Sequence, residues 1–308
     1  MTRREMLQAV PALAIPATAQ AQGEAKAPKP EQTALTPDVR GKTRLRTAIC
    51  AYSFREQLKD RSMSYADLVR LAVDLGVDGL DMTVYWMPST LDDFLPPLRG
   101  IAYRMGVDIY SISIRSEMTR ATRELQDAEF TTIKKWVDAA DRLGAGHIRV
   151  FGGNVPKGAT VEQASGWATE VLKRAAEYSG SKGIILGLEN HGGVTERAET
   201  IIKIVRAVNS PWVGINLDTG NFRTETYEQI EMCAPFAVNV QVKAETRGAD
   251  GQKSQGDWDR VAQILAKANY KGYLALEYEA AEDAARAVPR LIKRLRQVAD
   301  RHSSKFSS

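Results

Sequence analysis

The chain has 308 residues, with 42 Lys and Arg against 38 Asp and Glu for a net charge of +4, and 44 % of its residues are hydrophobic. Part of that positive balance sits in a basic leader, so the rest of the chain is near neutral, and no basic stretch alternates with aromatics; this argues against a nucleic-acid partner. With 3 histidines, 2 cysteines and no CxxC, a zinc site built on several His or Cys is excluded as well.

Residues 1–22, MTRREMLQAVPALAIPATAQAQ, begin with Arg3 and Arg4, continue through a weakly apolar run and end in small residues. This is the pattern of a removable signal, too short in its apolar part to span a bilayer. The paired arginines resemble a twin-arginine signal, with an ordinary Sec signal as the alternative. The reading predicts a protein exported to the periplasm or beyond by the twin-arginine machinery, with no membrane contact after cleavage. Residues 23–42 are polar and Pro-containing and read as a disordered linker. A single domain is expected over 43–302, with 303–308, and His302 with them, as a solvated tail.

Within 43–302, short apolar runs alternate eight times with longer amphipathic segments. The runs are TAICAYSF (47–54), VDGLDMTVYW (77–86), VDIYSISI (107–114), HIRVFGG (147–153), IILGLEN (184–190), VGINLDTG (213–220), AVNVQVKAE (237–245) and GYLALEYEA (272–280). The segments between them carry helical spacing, as in SYADLVRLAVDLG and TERAETIIKIVRAVN, and several close on Gly or Asn, which is C-cap chemistry. Pro96 and Pro97 suit a helix start, and Pro289 predicts a kink in the last helix. Eight such units close most naturally into an α/β fold of the (β/α)8 TIM-barrel type. An open doubly wound sheet is the alternative, but the first strand is not followed by GxGxxG. Cys50 and Cys233 fall far apart on a strand and a helix and read as two buried thiols.

A barrel gathers its chemistry at the C-terminal ends of its strands. There the last four strands carry Glu189, Asp218, Gln241 and Glu277, separated by 29, 23 and 36 residues, about one strand-helix unit each. One acid ending a strand is usually a cap or a turn, and DTGN after Leu217 is good turn chemistry. Three acids and an amide at one height are different: the acids repel and desolvate one another unless a cation or shared protons compensate. A divalent metal on these four groups is the expectation.

On these residues, together with CAYSF and GHIRVFGG, the sequence resembles the sugar isomerase/epimerase superfamily with the xylose-isomerase-like barrel, over the whole of 43–302. The resemblance implies a Glu, Asp, His, Glu set on one divalent cation, falling by position on Glu189, Asp218, Gln241 and Glu277. It implies Glu189 and Glu277 as the acid/base pair. Gln241 departs from the pattern where relatives carry His; an all-oxygen set favours Mn²⁺, with Mg²⁺ or Co²⁺ as alternatives, or leaves the site degenerate. The histidine cluster that endonuclease IV chemistry needs is missing.

Residues two apart on a strand share a face. His191 and Lys243 are thereby expected at the mouth as substrate contacts. Glu279 is expected to pair with Lys243 or to replace Glu277 as ligand. Arg149, on one face with His147 and Phe151, either orients a substrate oxygen or holds a carboxylate; His147, lower in the strand, reads as structural. Asn221 and Arg247 lie on the correct loops for substrate hydroxyls, a role the resemblance implies. Tyr52, Trp86 and Phe151 form a possible sugar platform. The expected partner is a small carbohydrate, and the expected reaction is metal-assisted proton abstraction beside a carbonyl of an unphosphorylated sugar or keto-sugar, giving isomerisation or epimerisation. The alternatives are β-elimination from a 3-keto-glycoside in the same site and a non-catalytic sugar-binding barrel.

Overall fold

A computed structural model describes residues 43–248 and 250–304. The expected leader and linker, and residues 305–308 of the expected tail, lie outside these residues.

Eight parallel strands close into a barrel in the order 1-8-7-6-5-4-3-2. They are Arg44–Cys50, Gly79–Thr83, Asp108–Ser113, His147–Phe151, Ile185–Glu189, Val213–Asp218, Ala237–Lys243 and Lys271–Glu277, called strands 1 to 8 below. Each is buried along most of its length because helices cover its outer face, and in strands 4, 6 and 7 buried apolar residues alternate with buried polar ones. The helices begin and end where local chemistry directs. Ser64 and Asp67 form a reciprocal capping box at the start of the helix Tyr65–Leu75, and Gly76 ends it in the left-handed region. Thr160 and Gln163 do the same for Val161–Ser181. Pro289 lies inside the last helix, Ala284–His302.

Two kinds of core result. Leu, Ile, Val and Ala fill the layer between strands and helices. The barrel's inside is different: apart from a small cluster of Ala48, Cys50 and Ala275, it is lined by buried polar groups, among them Asp81, Ser111, Ser113, His147, Asn216, Asn239 and Gln241. These groups hydrogen-bond one another, as burial requires. Tyr110 OH donates to Asn239 (3.0 Å), Asn239 to Asn216 (2.8 Å), Asn216 to Gln241 (2.7 Å) and Gln241 to Asp81 (2.9 Å).

Several boundaries differ from those expected. Strands 1 and 2 stop earlier, and Ala51–Phe54 and Val84–Trp86 turn as 3₁₀ segments instead of extending the strands. These residues are as β-prone as the strands before them; the chain turns there because it has reached the rim, where the Tyr52 and Trp86 rings stack 6.0 Å apart. A short helix Arg55–Asp60 and a hairpin, Glu245–Arg247 with Lys253–Gln255, add to the expected elements. His302 is not tail: it ends the last helix, with Nε2 2.9 Å from Asp259 Oδ1. Ser303 and Ser304 hydrogen-bond to Leu45 and Thr43 at the start of strand 1. Cys50 and Cys233 are both free and buried. Among the described residues no helix is long and apolar enough to cross a membrane.

Candidate active site

Strands 5 to 8 end at one rim and bring Glu189, Asp218, Lys243 and Glu277 together, all less than a tenth exposed. Lys243 is in register with Glu277 on strand 8. Its Nζ stands 3.3 Å from Asp218 Oδ2 and 3.2 Å from Glu277 Oε2, and donates to Glu279 Oε2. Desolvation alone would lower the pKa of this ammonium, but Asp218, Glu277 and Glu279 together raise it well above the lysine value.

Asp218 divides its two oxygens. Oδ1 accepts the Gly220 N–H at 2.8 Å, so the turn chemistry of DTGN is present, while Oδ2 has no hydrogen-bond donor and is compensated only by the Lys243 charge. Burial raises the Asp218 pKa to about 7, with Lys243 opposing and Glu277 adding to the rise.

Glu189 takes a different cation. Arg149, on the neighbouring strand, places Nε 2.9 Å from Glu189 Oε2; both side chains are almost fully buried. The guanidinium is aimed by two acceptors, the Ile114 carbonyl (2.7 Å) and the Tyr85 hydroxyl (3.2 Å). Asn221 donates to Glu189 Oε1 at 3.0 Å. Burial raises the Glu189 pKa well above the carboxylate range; Arg149 opposes this without cancelling it, and the charges of Asp218 and Glu277 add to it. Of the two roles expected for Arg149, the structure gives it the carboxylate.

Gln241 stands apart from the other three residues expected at the rim. It pairs with Asp218 across strands 6 and 7 and with Ala275 on strand 8, and its side chain joins the polar interior below the rim. Its carboxamide oxygen accepts from Asn216 and its NH₂ donates to Asp81, so neither end is turned to the acids above. A resident divalent ion does not fit the side chains as they stand. An ammonium fills the space between Asp218 and Glu277, Glu189 is engaged by a guanidinium, and the Gln241 oxygen is committed elsewhere. Among the described residues no three His, Cys, Asp or Glu side chains converge to hold a metal ion.

The other expected residues surround this centre. A cavity of about 230 Å³ is lined by Tyr52, Tyr85, Phe151, Glu189, His191 and Glu277 among others, and a second of about 310 Å³ adjoins it across His191, Asn221, Lys243 and Glu279. The His191 ring stacks on Phe151 with centroids 4.1 Å apart. Its pKa is lowered by desolvation at the mouth and by the charges of Arg149 and Lys243. Arg247 lines the second cavity from the hairpin and donates to the Gly251 carbonyl at 2.9 Å. Phe151 and Tyr52 reach the first cavity; Trp86 supports Tyr52 from outside it. His147 lies inside the barrel with Nδ1 2.8 Å from Ser111 Oγ, and burial takes its pKa down to about 3.

Sequence reasoning missed three residues. Tyr85 orients Arg149 and lines the cavity, and Arg115 stacks on the Tyr85 ring at 4.2 Å. Both follow strand ends, the position that singled out the acids. Asn190, directly after Glu189, shares that signal: its carboxamide bonds the Asp218 backbone in both directions (2.9 and 2.8 Å) and so sets the ends of strands 5 and 6 against each other.

The family described as xylose isomerase-like TIM barrel matches residues 69–298 of this chain. A search of curated proteins returned no match. Among solved structures, D-psicose 3-epimerase from Clostridium cellulolyticum H10 superimposes with a TM-score of 0.67 at 13 % identity, over 83 % of this chain and 98 % of that one. The 3-keto-D-glucoside 4-epimerase from E. coli gives 0.66 at 14 % identity, over 83 % of this chain and 100 % of that one. A probable 3-DHS dehydratase involved in petrobactin synthesis in Bacillus anthracis gives 0.61 at 14 % identity, over 83 % and 98 %.

Proposed function

The chain belongs to the xylose isomerase-like TIM barrel family, and from that premise we propose that it is an enzyme moving a proton on a carbon beside a carbonyl. The substrate in this reading is an unphosphorylated sugar or keto-sugar, and the outcome is epimerisation or isomerisation. The observation that carries it is that Glu189 and Glu277 line one cavity, each beside a buried cation, Arg149 and Lys243. Proton abstraction next to a carbonyl needs a base, an acid and positive charge near the oxygen that becomes negative. Glu277 takes the C–H proton, the electron pair moves onto the carbonyl oxygen to give an enediolate, and Glu189, which burial biases toward the protonated form, returns a proton to carbon. Return to the same carbon from the other face inverts it; return to the neighbour isomerises the sugar.

Two structural neighbours named as epimerases and one as a probable dehydratase agree with this reading. The cations around the second cavity already have partners, which favours a neutral substrate over a phosphorylated one. Arg223 pairs with Glu196 (3.6 Å), Lys253 with Glu245 (3.4 Å) and Arg247 with a carbonyl. Export by the twin-arginine route, expected from residues 1–22, agrees with an unphosphorylated substrate.

The second cavity also favours a second reading. It leaves room for a leaving group beside the reacting sugar, so the same enediolate could collapse with expulsion of an aglycone from a 3-keto-glycoside. Incubation of keto-sugars and 3-keto-glycosides in D₂O, followed by NMR, tests both. Exchange at one C–H is expected and should fall about 10²-fold or more in Glu189→Gln and in Glu277→Gln. Release of the aglycone selects the lyase. Exchange unaffected by either substitution, or none with any compound, refutes the proposal.

A further inference from the structure

We infer that the Lys243 ammonium is the resident cation of this site and does the electrostatic work that a divalent metal would otherwise do, so the protein functions without a metal. The inference deepens the proton-transfer reading above and rests on it for the identity of the substrate oxygen.

The lysine is built into its position at four points. Its N–H donates to Thr219 Oγ1 at 3.0 Å, and its carbonyl accepts from the Trp258 indole N–H at 2.8 Å. Its stem runs against the loop after strand 6 so closely that a Cβ on Gly220 would stand 2.6 Å from Lys243 Cγ. Its head is held by Asp218, Glu277 and Glu279.

The ion pairs point the same way. Arg149 is in contact with Glu189, and Lys243 with Asp218, Glu277 and Glu279, so each of the four carboxylates meets a side-chain cation. A divalent ion between Asp218 and Glu277 would require the ammonium to leave a pocket in which its side chain is only 10 % exposed. The residue that could supply another ligand, Gln241, is bound to Asn216 and Asp81. Three carboxylates within reach of one Nζ call for a cation at that place, which suits the lysine as an electrostatic partner for an oxyanion.

Glu279 is the partner a substrate displaces. Its side chain is 41 % exposed, whereas those of Asp218 and Glu277 are buried, and Lys243 and Glu279 line both cavities. A substrate oxygen replacing Glu279 would receive an N–H from Lys243 while Asp218 and Glu277 remain in place. As the carbon proton leaves to Glu277, the negative charge that develops on that oxygen faces a fixed positive charge; no proton need leave the lysine.

The test separates metal binding from turnover. The chelator-treated full chain would be titrated with Mn²⁺, following free Mn²⁺ by electron paramagnetic resonance and the unfolding temperature in parallel. Less than about a tenth of an equivalent bound at about 1 mM Mn²⁺, with no rise in Tm, is the expected result. Lys243→Met should acquire Mn²⁺ binding, because the acids are left without their cation, and a Tm raised by about 3 °C or more would show it in a folded protein. Lys243→Arg retains the charge and should remain metal-free. Stoichiometric Mn²⁺ uptake by the unsubstituted protein, lost in Asp218→Asn, overturns the inference. Hydrogen exchange on the substrate in the presence of chelator supports it, and exchange that requires Mn²⁺ overturns it while leaving the proton-transfer reading intact. Absence of exchange under every condition refutes that reading instead, whatever the titration finds.

Discussion

Replacing Arg149 by Met tests the electrostatics of the buried centre most directly. The substitution keeps an unbranched side chain of similar reach but removes the charge 2.9 Å from Glu189, the donor to Ile114 O and the donor to Tyr85 OH. Breaking a buried ion pair by deleting one partner costs about 3–5 kcal/mol when the remaining charge persists. Glu189 can avoid this by binding a proton, at about 1.4 kcal/mol per pH unit. Its pKa is already raised by burial, so in the window above the unfolded carboxylate pKa the folded protein binds the extra proton and stability falls as pH rises. Arg149 opposes that rise; without it the Glu189 pKa climbs further, and the variant continues to lose stability at pH values where the parent has levelled off. The variant should therefore be weaker by about 1–3 kcal/mol near pH 5.5, the loss of two hydrogen bonds. By about pH 9 the deficit should reach about 3–5 kcal/mol. Urea unfolding followed by circular dichroism and by tryptophan fluorescence at both pH values measures this. Adding Glu189→Gln removes the stranded charge, so at high pH the double variant should be more stable than Arg149→Met alone, with a coupling of about 2 kcal/mol. A deficit that does not change with pH, or strictly additive substitutions, would refute the account.

Gly187 faces the barrel interior, and a Cβ there would meet His147 Nε2 at 2.3 Å and Asn216 Cβ at 3.0 Å. Gly187→Ala should cost about 1–3 kcal/mol, read as a Tm several degrees lower; an unchanged Tm would mean that the interior yields at this level. Asn221→Ala removes the 3.0 Å donor to Glu189 and should lower kcat about tenfold with little change in KM, whereas a rise in KM alone would make Asn221 a binding contact only.

The fold was legible because its signals are local. Eight apolar runs separated by helical spacing, with Gly76 and other Gly or Asn residues closing the helices, predict alternating elements, and short crossovers leave a closed barrel as the natural arrangement. The height of the acids was legible too, since Glu189, Asp218 and Glu277 each directly end a strand. The strand limits at the rim were less so: AYSF and VYW have strand composition and turn only because the barrel ends there.

What tertiary structure decided is which atoms meet. Period two places Gln241 and Lys243 on the same face of strand 7, and nothing in VQVKAE says which of them stands level with the acids. The pairing of Lys243 with Glu277, and of Gln241 with Ala275 one layer below, follows from how the strands are staggered around the closed barrel. Stagger is a property of all eight strands together, so no single strand encodes it. The choice of cation for each acid is equally non-local: Arg149 reaches Glu189 from the neighbouring strand, and Lys243 reaches Asp218 and Glu277 from the strand between them. From sequence alone the chain thus specified a barrel with a ring of acids at its mouth, while only the packed structure put an ammonium among them.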